Sequence, residues 1–334
     1  MKKEKPLCPP EKRPKYEDIV FAVVPAADGS SMELKLDIYQ APDQQEPGPC
    51  IIYYFGGGWM WGEYKQVTQK AVYCRDLVRL TEAGYTIVSP SYRLASQAVF
   101  PACIHDCKGV VRFLKANAEQ YHIDPDRIGV LGNSAGGHLA GMVALSSGNP
   151  EMEGDVGGNL EYSSSVRAAA IFYAPSDLVQ LIREASEKEE IKDLSGTEIE
   201  NLASGDPSFG LEARIVGYSG PGRNLLRLSE VARKMDETDP DWKYIELAKK
   251  CSPVTYASSD CPPVIILHGG QDPVVPVSQS ECLYKALTKA GAEAVYLSCS
   301  QAGHGPTVSA EADQFAYDFL KNHLQEAVYG LVYR

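Results

Sequence analysis

A five-residue turn constrains this chain more than anything else in it. Gly132-Asn133-Ser134-Ala135-Gly136 follows the β-prone run Arg127–Leu131 and opens the helix-like run Ala135–Ser146. A serine at such a junction sits on a sharp strand-turn-helix elbow. Glycines two residues to either side let the backbone fold without Cβ clashes. The serine oxygen then stands at a helix N-terminus, whose dipole favours developing negative charge. The spacing marks Ser134 as a candidate nucleophile. The same residues also fit a plain βα turn with a capping serine, so the reading depends on partners elsewhere. A near match, Gly217-Tyr218-Ser219-Gly220, has Pro221 where the last glycine should be and lacks sheet-like surroundings.

The elbow sits in a chain that alternates strands and helices. Strand-like runs occur at Ile19–Val24, Leu34–Tyr39, Cys50–Phe55, Tyr85–Ser89, Arg127–Leu131, Val166–Tyr173, Pro263–Leu267 and Ala294–Cys299. Helix-like runs occur at Gln66–Ala83, Pro101–Ala118, Ala135–Ser146, Ser278–Ala290 and Ala310–His323. This rhythm predicts an α/β fold, a mostly parallel twisted sheet with helices on both faces. The first two strands read as an antiparallel hairpin at one edge. One segment breaks the rhythm: Leu178–Lys250 holds 26 charged residues in 73. It reads as solvated short helices and loops inserted into the core, a cap over the site. The expected organisation is a flexible tail over 1–15 and one domain over 16–334, with the cap at 178–250.

Composition narrows the function classes. The chain has 334 residues, 44% hydrophobic and 23% charged, with a net charge of −12. Such a surface is a poor match for nucleic acid, whose phosphates need clustered Lys and Arg. No run of 18 uncharged apolar residues exists, so no membrane span is expected. The first 15 residues lack the apolar stretch of a secretory signal, and the expectation is a cytoplasmic protein. The nine cysteines form no CxxC pair, and reduced buried thiols are the default. Cys103 and Cys107 are spaced to share a helix face, but His105 between them points elsewhere, so no metal is expected. The tail carries +4 and the insert −4, which leaves the acidity with the core.

A serine nucleophile needs a base and a group that orients the base. In sheets of this type the order is serine, acid, histidine. His105 and His122 precede the serine, His138 lies inside the following helix, His268 ends a strand, and His323 lies in a terminal helix. His304 falls in Gln301-Ala302-Gly303-His304-Gly305, a loop after the strand Ala294–Cys299. Asp272 falls in the loop after Pro263–Leu267. Both loops leave the carboxyl ends of parallel strands, where open α/β sheets bind ligands. Ser134, Asp272 and His304 can therefore converge. Gly56-Gly57-Gly58 follows the strand Cys50–Phe55. Either it is a flexible turn, or two of its N–H groups join that of Ala135 as an oxyanion hole.

These residues together resemble an α/β-hydrolase of the hormone-sensitive-lipase-like type, and especially the bacterial acetyl-esterase and feruloyl-esterase branch. The matching pieces are Gly56-Gly57-Gly58-Trp59, Ser91-Tyr92-Arg93-Leu94-Ala95, Phe100-Pro101-Ala102, Gly132–Ala140, Ser252-Pro253, His268-Gly269-Gly270-Gln271-Asp272, Val275-Pro276, Gln279-Ser280 and Gly303-His304-Gly305. They span Ile19 to Leu320 apart from the insert. The resemblance implies a carboxylester hydrolase with Ser134 as nucleophile, His304 as general acid/base and Asp272 as orienting acid. It also implies oxyanion donors from Gly57, Gly58 and Ala135, and no cofactor. Phe55 stands where the family usually has a histidine that holds the glycine loop by hydrogen bonding, so either packing holds it here or the loop is looser. Ser91 replaces a usual asparagine.

Trp59, Trp61 and Tyr64 crowd after the glycine loop and are candidate substrate-binding residues, since aromatic faces stack on sugar or cinnamoyl rings. They fit loop packing equally well. Pro207, Phe209, Tyr218 and Trp242 of the insert are further candidates for lining. The expected partner is a small-molecule ester, with acetylated sugars and hydroxycinnamoyl esters among the candidates. The oligomeric state stays open, a homodimer included. Two rival readings remain: a non-catalytic small-molecule-binding protein on a hydrolase fold, and a serine peptidase. Such binding proteins typically lose the catalytic histidine, which is present here. Peptidases of that kind usually carry a second large domain, for which the length leaves no room.

Overall fold

The computed structural model describes residues 13–26, 29–68, 77–185, 210–220, 223–305 and 310–325. Among them, eight strands form one sheet: β1 (Tyr16–Pro25), β2 (Ser31–Tyr39), β3 (Gly48–Tyr54), β4 (Thr86–Pro90), β5 (Ile123–Asn133), β6 (Ala168–Phe172), β7 (Val264–Gly269) and β8 (Ala294–Cys299). Their order is β1-β2-β4-β3-β5-β6-β7-β8. β1 pairs antiparallel with β2, and β2 with β4; the other pairings are parallel. The hairpin expected at the edge is therefore the antiparallel edge. β4, β6 and β7 are buried along their whole length, as central strands covered on both faces must be. β8, at the other edge, leaves Val295 and Ser298 exposed.

The main helices of the core are α1 (Ala102–Ala116), α2 (Ala135–Leu145), a single turn α3 (Pro150–Glu153), and, later in the chain, one over Ser278–Ala290 and one over Ala310–Leu324. Pleating puts Gly129 and Val130 of β5 on opposite faces. A Cβ on Gly129 would meet Leu324 of the last helix. Ile171, paired with Gly132 on the Val130 face, lies against Gly141 of α2. The last helix and α2 thus cover opposite faces of the sheet.

The described parts of 178–250 hold α4 (Leu178–Glu184), α5 (Leu211–Ile215), α6 (Leu225–Lys234) and α7 (Trp242–Lys250). They complete the numbering up to α8 (Ser278–Ala290) and α9 (Ala310–Leu324). These short helices are less solvated than their charge predicts. Leu228, Val231 and Ala232 of α6 are buried, as are Ile245 and Ala248 of α7. Their apolar residues recur at helical spacing, and the charges occupy the remaining faces.

One expected element differs. Gln66–Ala83 reads as a helix in sequence, but its described ends are 3₁₀ turns at Tyr64–Thr68 and Leu77–Ala83. Residues 69–76 lie outside the described residues. Leu77 and Leu80 are the buried pair of the second turn. Their spacing of three eclipses on one face of a 3₁₀ helix, which suits a single shallow contact with the sheet.

A buried ion pair fixes the segment between β4 and α1. Asp106 on α1 accepts from the Arg93 backbone N–H at 2.8 Å, from its Nε at 2.9 Å and from its Nη2 at 2.7 Å. The carboxylate is fully buried. Replacing one member leaves the other charged and unpaired. Asp106→Ala should lower the unfolding free energy by about 3 kcal/mol or more, read from urea denaturation. A loss under ~1 kcal/mol would show that the pair does not anchor this segment.

Candidate active site

Ser134 occupies the turn between β5 and α2 with φ 53° and ψ −126°, a conformation that non-glycine residues avoid. Close packing accounts for the flanking glycines. A Cβ on Gly132 would lie 2.1 Å from the Gly136 carbonyl oxygen, and one on Gly136 would lie 2.0 Å from that of Tyr54. The turn is tied to the sheet by the Ser134 N–H, which donates to Phe172 O at 2.9 Å. The His138 N–H, donating to Ser134 O at 3.0 Å, starts the helix. Every residue of α2 is buried, so the elbow rests on a helix locked into the core.

The loops after β7 and β8 are brought together by their backbones. The Gln271 N–H donates to Ala302 O at 2.8 Å, and the Gly270 N–H to Cys299 O at 2.8 Å. Gly269 makes this approach possible, because a Cβ there would lie 2.2 Å from Gly303 O. Asp272 and His304 are thereby set side by side. The His304 Nδ1 lies 2.6 Å from Asp272 Oδ2, and its Nε2 lies 3.1 Å from Ser134 Oγ.

The Asp272 side chain is fully buried, and all its hydrogen-bonding capacity is taken up. Oδ1 accepts from the N–H groups of Val274 and Val275, at 2.8 and 2.9 Å. Oδ2 faces His304 and also the Nε2 of His268, at 3.3 Å. Burial alone would raise this carboxyl. The hydrogen bonds from His268, His304 and Val275 outweigh it and hold the group well below the usual carboxylate range. Asp272 is therefore a permanent anion, which requires the His304 proton on Nδ1 and leaves the Nε2 lone pair toward Ser134.

His268 and Tyr173 are site residues that sequence reasoning missed. His268 faces Asp272 while its Nδ1 lies 2.6 Å from Ser280 Oγ and its Nε2 2.9 Å from Val275 O. His268 thus ties the end of β7 to the following turn and reaches the Asp272 carboxylate as well. Tyr173 packs edge-to-face on the His304 ring, with centroids 4.8 Å apart. Its signal in sequence is only its position at the carboxyl end of β6.

The glycine loop lies against the elbow. Gly57 and Gly58 have φ 118° and 55°. Among the described residues no carbonyl accepts from their N–H groups. The Ala135 N–H lies in the first turn of α2, where helical N–H groups have no intrahelical partner. Of the two alternatives for Phe55, the contacts favour packing. Its ring stacks on Tyr92 with centroids 4.3 Å apart, and the Tyr92 hydroxyl donates to Phe55 O at 2.8 Å. Ser91 instead binds β2: the Lys35 N–H donates to its Oγ at 2.7 Å, and its own N–H to Lys35 O at 2.7 Å.

A cavity of about 260 Å³ joins these parts, lined by Ser134, His304, Gly57, Gly58, Asn133 and Ala135 on the catalytic side. Trp59, Trp61 and residues from α4 and α5 complete it. Trp59 is nearly buried, and its Nε1 donates to His138 Nδ1 at 3.1 Å. Trp61 is 44% exposed. Tyr64 does not line the cavity; its hydroxyl donates to the Asp18 carboxylate on β1. The turn at Gly62, φ 116°, separates Trp61 from it. Tyr218 and Trp242 do not line the cavity either; Tyr218 is buried with its hydroxyl 3.0 Å from Asp241. Pro207 and Phe209 lie outside the described residues. His138 is fully buried, and its Nε2 donates to Cys251 O at 2.6 Å. Burial lowers its pKa to about 4. Cys103 and Cys107 are buried in α1, and burial pushes both thiols up.

The BD-FAE family model matches residues 36–208 and 230–287, which include Ser134 and Asp272. The chain belongs to the BD-FAE family. Esterase LipQ of Mycobacterium tuberculosis is 30% identical over 276 residues, 81% of this chain and 53% of LipQ. Esterase LipC of the same organism is 27% identical over 81% of this chain and 56% of LipC. The chain thus spans about half the length of the curated relatives it matches. A carbohydrate esterase from gut microbiota, solved in truncated form, superposes with a TM-score of 0.69 at 24% identity, covering 93% of this chain and 96% of that one. This BD-FAE member shares that fold.

The elbow and the buried histidine behind it are both open to measurement. Gly136→Ala forces a Cβ into the Tyr54 carbonyl, so the variant should unfold at a lower temperature by several degrees and lose the Ser134 geometry. An unchanged melting temperature would contradict the close approach. His138 has a folded pKa below its unfolded value near 6.5. Its contribution is complete above pH 6.5 and is lost as pH falls toward about 4. Urea unfolding from pH 7 to pH 4 should therefore show a smaller stability loss in His138→Gln than in the wild-type chain. Equal losses would mean that His138 is not held neutral.

Proposed function

We propose that this chain is a serine carboxylesterase that cleaves small acyl esters through an acyl-enzyme, with Ser134, His304 and Asp272 as its triad. One observation carries the reading. The His304 ring links Ser134 Oγ, 3.1 Å from its Nε2, to the buried Asp272 Oδ2, 2.6 Å from its Nδ1, and Ser134 and His304 face a cavity whose lining includes Gly57 and Gly58, with N–H groups uncommitted among the described residues. Membership of the BD-FAE family and the similarity to esterases LipQ and LipC support it.

The chemistry follows from the tautomer. His304 Nε2 takes the Ser134 proton as Oγ attacks the ester carbonyl, and Asp272 stabilises the imidazolium that forms. The negative charge on the carbonyl oxygen meets the N–H groups of Gly57, Gly58 and Ala135. The protonated Nε2 then gives its proton to the leaving alcohol, which departs and leaves an acyl group on Ser134. A water enters, His304 takes its proton, and the same steps in reverse order release the acid. Protein groups supply each step. The cavity suits a small acyl group such as acetyl, and hydroxycinnamoyl esters are the larger candidates. The helices of 178–250 serve as a cap that limits what can enter.

A fluorophosphonate probe should label Ser134 of the folded protein, located by peptide mass. Ser134→Ala should abolish labelling, and both Ser134→Ala and His304→Ala should lower kcat on p-nitrophenyl acetate by roughly 10⁴-fold or more. Folded protein that is neither labelled nor active would favour a binding protein on this fold instead. Loss of activity in His268→Ala but not in His304→Ala would reassign the base.

A further inference from the structure

We propose that Glu212 is a specificity-determining residue that selects partially acylated polyols, by accepting hydrogen bonds from their free hydroxyl groups. The inference rests on the esterase reading above and goes beyond it in assigning the residue that reads the alcohol part of the substrate.

Glu212 follows Leu211 in the short helix α5 and is only 9% exposed. It lines the same cavity as Ser134 and His304. The helix is seated close to the reacting centre, since a Cβ on Gly58 would lie 2.5 Å from Leu211 Cδ1. Among the described residues no donor or cation pairs with the Glu212 carboxylate. Two side-chain groups of the lining are already committed. Asn133 Oδ1 accepts from the Tyr53 hydroxyl at 2.8 Å, and the Trp59 Nε1 is spent on His138. Apart from His304, Glu212 is the one ionisable side chain among the described residues of the lining. Much of the rest is apolar: Pro175, Leu181, Leu211, Val274 and Val275.

A carboxylate in such a lining, with no partner among the described residues, is open to donors that a ligand brings. A small acyl group carries no donor, so the donors come with the alcohol. Two neighbouring hydroxyls of a polyol match the two oxygens of one carboxylate, and such charge-assisted bonds are the strong ones. The half-exposed indole of Trp61, on the same cavity, offers a flat face for the C–H side of a sugar ring. By the same logic an acyl group with its own carboxylate meets a like charge and is disfavoured.

The test compares acetate release from a mono-acetylated methyl xyloside and from phenyl acetate, in the wild-type chain, Glu212→Gln and Glu212→Leu. The kcat/KM ratio of glycoside to aryl ester should fall roughly tenfold or more in Glu212→Leu, and less in Glu212→Gln, which keeps one acceptor. The ratio of p-nitrophenyl hemisuccinate to p-nitrophenyl acetate should rise in both. Unchanged ratios would overturn the proposal. So would a wild-type chain that cleaves phenyl acetate but not the acetylated glycoside. If acetylcholine is the ester whose relative rate collapses, the carboxylate reads a cation and the polyol assignment is overturned. Failure on every ester in a folded protein overturns the esterase reading itself.

Discussion

The site depends on a serine held where a serine does not rest by itself. A non-glycine residue in the conformation of Ser134 costs of order 1–3 kcal/mol, and it persists only where its surroundings over-determine it. Here the surroundings are β3, β5 and β6 on one side and the buried helix α2 on the other. The Tyr54 carbonyl of β3 leaves no room for a side chain at Gly136, and the Phe172 carbonyl of β6 takes the serine N–H. The same crowding that makes the turn sharp points Ser134 Oγ out of the sheet and into the cavity. Stability of the core and exposure of the Ser134 hydroxyl are therefore one constraint.

The placing of Asp272 and His304 depends on a second close approach, between the loops after β7 and β8. Gly269 allows the two backbones to touch, and Asp272 is then buried against donors that fill both of its oxygens. Two of these donors are backbone N–H groups, so the carboxylate cannot swing. Two are imidazoles, His304 facing the serine and His268 facing the interior. A fixed anion fixes the tautomer of His304, and Tyr173 on its ring limits its tilt. Orientation here comes from packing as much as from charge.

The glycine loop shows how one substitution of type can be absorbed. Where a histidine would bond to the loop, Phe55 stacks on Tyr92, and the Tyr92 hydroxyl returns to the Phe55 carbonyl. A polar tie is exchanged for an aromatic stack closed by one hydrogen bond. Trp59 is fixed in turn by His138, a histidine that burial keeps neutral. The aromatic residues after the loop thus part ways. Trp59 is buried against the core at the cavity wall, Trp61 lines the cavity half exposed, and Tyr64 leaves for the sheet edge.

The sequence by itself determined the elbow, the sheet and the order of its partners. Those features rest on local rules: glycines where a turn must be tight, apolar runs where strands are covered on both faces, and loops at the carboxyl ends of strands. It could therefore name Ser134, Asp272 and His304 before any contact was known. Only the tertiary structure decided which aromatic residues face the cavity, because Trp59, Trp61 and Tyr64 have the same local signal and differ in what packs on them. It alone brought His268 to the Asp272 carboxylate and Tyr173 to the His304 ring, contacts between segments far apart in the chain. Glu212 is the clearest case. In sequence it is one of 15 acidic residues in a charged insert and reads as solvated surface. Its role follows from its place in the cavity with no partner among the described residues, a property that exists only once α5 has folded against the glycine loop.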